Sequence, residues 1–123
     1  MANAINWFEI PVTDYDRAKK FYENLLDISL HDMERGPLQY GFFPHDLGAH
    51  GASGSLVKAE GYNPSDQGSV VYLTASPDLN VALSKIEAAG GEILMPKTAI
   101  GENGFIAHFR DTEGNRVALH SVN

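Results

Sequence analysis

Ile5-Asn6-Trp7-Phe8-Glu9-Ile10, running into a helical pattern over residues 14–26, decides the fold. The same pair returns as Val70-Val71-Tyr72-Leu73-Thr74-Ala75 followed by a helical pattern over residues 78–89. Self-similarity at this spacing signals a duplicated supersecondary unit. Strand-like runs follow each copy, at 28–33, 38–43 and 53–58 after the first and at 92–95, 105–110 and 115–122 after the second. The chain therefore reads as α+β, one domain over 1–123 built of two βαβββ modules, 1–60 and 68–123. Neither module can bury both faces of its own sheet. Two of them set together create a shared concave space suited to a small molecule.

Within the helical patterns, Ala18, Phe21, Tyr22, Leu25 and Leu26 fall on one face, with Thr13 or Asp14 placed to cap the first helix. In the second, Ser76 reads as the N-cap and Pro77 as the first helical residue. Leu79, Leu83 and Ile86 form its apolar stripe and Gly90-Gly91 ends it. Glu102-Asn103-Gly104 and Thr112-Glu113-Gly114-Asn115 supply tight strand connections. The glycine-rich run from Gly48 to Gly54 is either a plain loop or one whose backbone amides approach a ligand.

Composition narrows the function. The 123 residues are 43% hydrophobic and 20% charged, enough for one compact core. A formal net charge of −7 opposes binding to phosphate backbones, and no Lys/Arg cluster interrupts it, so no nucleic-acid partner is expected. The absence of cysteine removes disulfides, thiolate nucleophiles and Cys-ligated metals from consideration. Neither a signal-peptide pattern nor a membrane-spanning run is present, which makes the cytoplasm the expected compartment and a membrane an unexpected partner.

The phrase from Ile5 through Ile10-Pro11-Val12-Thr13-Asp14, with Arg17-Ala18-Lys19-Lys20-Phe21-Tyr22 after it, resembles the opening of the vicinal oxygen chelate superfamily. That family includes glyoxalases, bleomycin- and fosfomycin-resistance proteins and extradiol dioxygenases. The close, Asp111-Thr112-Glu113-Gly114-Asn115-Arg116-Val117-Ala118-Leu119, resembles its final hairpin. The resemblance implies a homodimer, and leaves open whether the cavity is built within one chain or across two. It also implies a divalent metal held by one His or Glu on the first strand and one on the last strand of each module. Carried over residue by residue, those positions are Trp7, a site within Ser55 to Val57, Val70 and Ala118. None of these can serve as the family's ligands, so neither metal nor other cofactor is expected.

Residues two apart on a strand share a face. Trp7 therefore brings Ile5 and Glu9 to the cavity, Val70 brings Tyr72 and Thr74, and Ala118 brings Arg116 and His120. A carboxylate beside apolar walls has a raised pKa suited to acid/base work. Glu9 and His120 thus form the candidate proton-transfer pair with Tyr72 as hydrogen-bond donor, and Trp7, Val70, Thr74, Arg116 and Ala118 contact the ligand. Plainer readings stay open: a structural carboxylate at Glu9, a wall residue at Trp7, an exposed His120. His31, His45, His50 and His108 read as surface or loop histidines, since no pair has metal-ligand spacing. The expected function is recognition, or metal-free lyase or isomerase conversion, of a small carbonyl or aromatic compound. The rivals are a non-catalytic sequestering protein of the resistance type, and a metal-dependent lyase or dioxygenase with displaced ligands.

Overall fold

The computed structural model describes residues 3–46 and 48–123. The chain runs β1 (Trp7–Pro11), α1 (Tyr15–Leu26), β2 (His31–Arg35), β3 (Leu38–Phe42) and β4 (Ser53–Lys58). It continues as β5 (Val71–Thr74), α2 (Asn80–Leu83), β6 (Glu92–Ala99), β7 (Phe105–Arg110) and β8 (Arg116–Ser121). The strands form two four-stranded mixed sheets ordered β1-β4-β3-β2 and β5-β8-β7-β6. Each has one parallel pair, β1 with β4 and β5 with β8, the remaining pairs being antiparallel. These are the two βαβββ modules of an α+β domain.

Helix α1 forms because its apolar residues keep helical spacing between two defined ends. Asp14 caps it by accepting from Arg17 N–H, and Asp27 closes it in the left-handed region. Its buried face, Tyr15, Ala18, Phe21, Tyr22 and Leu25, covers the inner side of the first sheet, where Ile10 and Leu56 pair across β1 and β4. Phe21 and Phe109 lie 5.8 Å apart, so the two modules share one core.

Three elements depart from the sequence reading. The second helix is regular only over Asn80–Leu83. Beyond it Lys85, Ile86 and Gly90 donate to carbonyls three residues back, tightening the chain into turns. Its predicted stripe is nevertheless buried at Leu79, Leu83 and Ile86. Ser76 and Pro77 lie before the helix and do not cap it; Asp78 accepts from Asn80 N–H, and Leu79 N–H goes to Ser121 Oγ. The predicted strand 28–33 begins only at His31, because Ile28 N–H and Leu30 N–H are both bound by Glu23 at the helix exit. Strand β6 extends through Pro96 to Ala99, an outer position where no ladder donor is needed.

Gly41 illustrates how closely α1 fits. The Tyr15 ring lies across it, with its hydroxyl donating to Asp32 Oδ1 at 2.5 Å. Burial, reinforced by Asp32, holds the Tyr15 phenol well above its ordinary pKa, so it remains a donor. A Cβ at position 41 would sit 2.5 Å from that hydroxyl. Gly41→Ala should therefore lose about 1–3 kcal/mol by overpacking, read from urea denaturation; unchanged stability would contradict this packing.

Candidate functional site

The inner side of each sheet faces the helices and the shared core, leaving the other side open. On the first sheet the open face carries Trp7 and Glu9 from β1, Ser53, Ser55 and Val57 from β4, and Tyr40 and Phe42 from β3, as strand parity and register require. Trp7 is 36% exposed and meets Phe42 and His45 edge-on. Tyr40 and Phe42 stack with centroids 5.6 Å apart. Glu9 is exposed rather than enclosed by apolar walls as the sequence had suggested, and its negative charge raises the pKa of the nearby Tyr62 phenol.

On the second sheet the open face carries Tyr72 and Thr74 from β5, Arg116, Ala118 and His120 from β8, and Ile106, His108 and Arg110 from β7. His108 is not the surface or loop histidine expected from sequence. It is only 8% exposed, in the middle of β7 opposite Ala118. Its Nδ1 lies 3.0 Å from Arg116 Nε and its Nε2 lies 3.0 Å from Tyr72 Oη. An arginine Nε can only donate, so Nδ1 accepts and the neutral ring carries its proton on Nε2, directed at the tyrosine oxygen. Burial, then the Arg116 charge, lowers the His108 pKa and favours this neutral form. Tyr72 is left with its own proton free to give to a ligand.

The structure thus joins two of the expected site residues, Tyr72 and Arg116, through a third that the sequence reading passed over. It gives the proposed acid/base pair separate neighbours: Glu9 stands near Tyr62, and His120 Nε2 lies 2.5 Å from the Asn103 carbonyl oxygen. Glu9 and Arg116 both line a cleft of about 150 Å³ at the seam between the sheets, crossed by Asn63, Ser65, Gln67 and Ser69 of the connecting segment. In the glycine-rich run, Ala49 to Ser53 line a separate hollow with Trp7 and His45. Gly54 belongs to β4, with Phe8 filling the place of a side chain.

Equivalent hydrogen bonds fix how the modules superpose. Val12 N–H donates to Val57 O in the first, and Ala75 N–H donates to His120 O in the second. Counting back along each strand matches Trp7 with Val70, Glu9 with Tyr72, and Ser55 with Ala118. The metal position that sequence left between Ser55 and Val57 is therefore Ser55, fully buried with its Oγ lacking a hydrogen-bond partner. Valine and alanine offer no donor atom, and the indole of Trp7 offers no lone pair. A single neutral hydroxyl does not hold a divalent ion, so the residues at these four positions do not fit the metal that the fold implies. Among the described residues no other group of three His, Asp or Glu side chains could hold one.

The sequence close has a different task. Asp111 is 4% exposed and accepts from Tyr22 Oη at 2.6 Å, from Asn115 Nδ2, and from the backbone N–H groups of Glu113 and Asn115. Asn115 Nδ2 also donates to Pro11 O. Glu113 accepts from Thr13 N–H, Thr13 Oγ1 and Asp14 N–H at the entry to α1, and from Arg17 Nε. This hairpin ties the second module to the first, and these hydrogen bonds are those of a structural staple.

Comparison with known proteins agrees with this architecture. Over 96% of its length the chain is 28% identical to CFP32 of Mycobacterium bovis and of Mycobacterium tuberculosis, a protein provisionally named a glyoxylase, and it spans 45% of the length of those relatives. A glyoxalase/bleomycin resistance protein/dioxygenase domain from Frankia sp. EAN1pec superposes with a TM-score of 0.73 at 15% identity, each chain covered completely. A glyoxalase/bleomycin resistance protein from Albidiferax ferrireducens T118 gives 0.70 at 18% identity, over 95% of this chain and 97% of that one. Glyoxalase I from Zea mays gives 0.68 at 21% identity, over 94% of this chain and 44% of that one. At these identities the solved structures speak for the fold. The family model for the glyoxalase/bleomycin resistance protein/dioxygenase superfamily matches residues 4–119, and the chain belongs to that superfamily.

Proposed function

We propose that the chain binds a small carbonyl or aromatic compound beside the seam of the two open faces. It would hold that compound through proton donors and acceptors, which also support acid/base lyase or isomerase chemistry. The observation that carries this reading is the hydrogen-bonded series Tyr72–His108–Arg116. It polarises the tyrosine so that its proton points to the ligand, as a carbonyl oxygen gaining charge requires. Glu9 supplies the proton acceptor across the seam. Trp7, Val70 and Thr74 form walls, whereas Ala118, expected from sequence to contact the ligand, is fully buried and only backs the site. The part given to His120 from sequence passes to His108, since Asn103 already engages the His120 ring. We keep the homodimer that the resemblance implies as part of the proposal; the exposed apolar side chain of Met33 on the outer strand of the first sheet supports it.

Trp7, the only tryptophan, reports binding. Fluorescence titration with a small aromatic aldehyde or ketone should show saturation, and Tyr72→Phe should weaken it several-fold to about tenfold, the worth of one hydrogen bond. Equal affinity in wild type and variant would remove Tyr72 from the site. A second reading, sequestration without reaction, is favoured by the exposure of Glu9, since a general base open to water gains little from its surroundings. Under that reading Glu9→Gln preserves affinity and there is no turnover to lose. Under the acid/base reading it removes turnover.

A further inference from the structure

Resting on the ligand-binding reading above, we infer that the ligand carries a carboxylate, taken by the terminal nitrogens of Arg116. Of the other three arginines, Arg17 pairs with Glu113 and Arg110 with Asp66 and Glu92, while Arg35, also without a partner among the described residues, stands exposed at the end of β2 and does not line the cleft. Arg116 differs. Its one partner among the described residues is a neutral ring, His108, which holds Nε and leaves the two terminal NH₂ groups without a hydrogen bond or ion pair there. His108 is itself fixed from the other side by Tyr72, so the guanidinium plane is set before any ligand arrives. An arginine clamped at Nε presents its terminal nitrogens as a two-pronged fork, which matches the two oxygens of a carboxylate.

Position agrees with this chemistry. Arg116 lines the seam cleft together with Asn63, Ser65, Gln67 and Asn115, a polar wall suited to a small ionised group. Glu9 lines the same cleft and repels a second negative charge, so the rest of the ligand is neutral or cationic toward that side. Tyr72, one imidazole ring away from Arg116, is placed to take a carbonyl or hydroxyl oxygen of the same molecule. The class indicated is a small monocarboxylic acid with an oxygen function near the carboxylate, such as an aromatic 2-oxo or 2-hydroxy acid.

Calorimetric titration with phenylglyoxylate and with its methyl ester tests this, since the ester keeps the ketone and the ring but replaces the charged oxygen by a neutral methoxy group. The acid should bind about tenfold tighter or better, the gain expected of charge-assisted hydrogen bonds. That advantage should shrink as salt is raised and vanish in Arg116→Gln, where acid and ester are compared with each other because loss of the Nε contact to His108 weakens both. Arg116→Lys keeps the charge without the fork and should fall between; it serves as the test should the glutamine variant not fold. Acid and ester binding alike, or a preference that survives in Arg116→Gln, would overturn the carboxylate assignment and leave ligand binding intact. Binding of neither compound at millimolar concentration would count against both.

Discussion

Asp111→Ala is expected to cost about 4 kcal/mol or more, the largest loss from any single side chain outside the apolar core. The carboxylate is buried and receives four donors: the Tyr22 hydroxyl, the Asn115 amide and two backbone N–H groups. Removing an acceptor strands its donors, and each stranded buried donor costs about 1–3 kcal/mol. The Tyr22 hydroxyl has no alternative partner among the described residues, since it is fully buried, donates only to Asp111, and its ring lies between Phe21, Phe43 and Phe109. For a chain of this size the thermal midpoint should drop by on the order of 15 °C. Tyr22→Phe removes one donor and leaves the other three satisfied, so about 1 kcal/mol is expected. A melt in which Asp111→Ala loses no more than Tyr22→Phe would show that the hairpin is not the staple described.

Glu113→Gln should produce the second large loss, about 2–3 kcal/mol, with a defined pH dependence. Burial alone would raise the Glu113 pKa. The Arg17 side chain and the N–H groups of Asp14 and Thr13 outweigh it and hold the value to about 2, against an ordinary 4.5. A carboxylate whose folded pKa is depressed contributes stability that is fully present above its unfolded pKa and is lost as pH falls through its folded one. The wild type should therefore lose this contribution between about pH 4.5 and 2. In Glu113→Gln the loss is already present at pH 7, and the acid decline over that window is correspondingly shallower. Urea denaturation at pH 7 and pH 3 measures both. Parallel declines in the two proteins would mean that Glu113 does not anchor the start of α1.

The duplication, the strands Ser53–Lys58 and Phe105–Arg110, and the apolar stripes of both helical segments were legible in the sequence because each rests on local periodicity. The length of the second helix was not, since whether a turn donates three or four residues back depends on what packs beneath it. His108 was not legible from residues two apart on β1, β5 and β8, because it stands on β7. A signal was present: Phe105, Ala107 and Phe109 alternate toward the core, and the hairpin Asp111 to Asn115 pairs Arg110 with Arg116, which sets His108 opposite Ala118. The nearness of Tyr62 to the Glu9 charge had no such signal, because Tyr62 lies between the modules and only tertiary packing brings it toward β1. The final motif resembled the family's hairpin, yet its job of tying the modules together appears only once Tyr22, Pro11 and Thr13 are seen beside it.

The central claim is that a small molecule binds on the open faces through Tyr72, His108 and Arg116 without help from a metal. Nuclear magnetic resonance tests it most directly, following the Trp7 indole, the His108 imidazole and the Arg116 Nε–H signals during titration with phenylglyoxylate, with and without a chelator. The account predicts saturable shifts in all three signals, at the same affinity in either condition. Shifts confined to other parts of the chain, or binding that the chelator abolishes and a divalent cation restores, would contradict it.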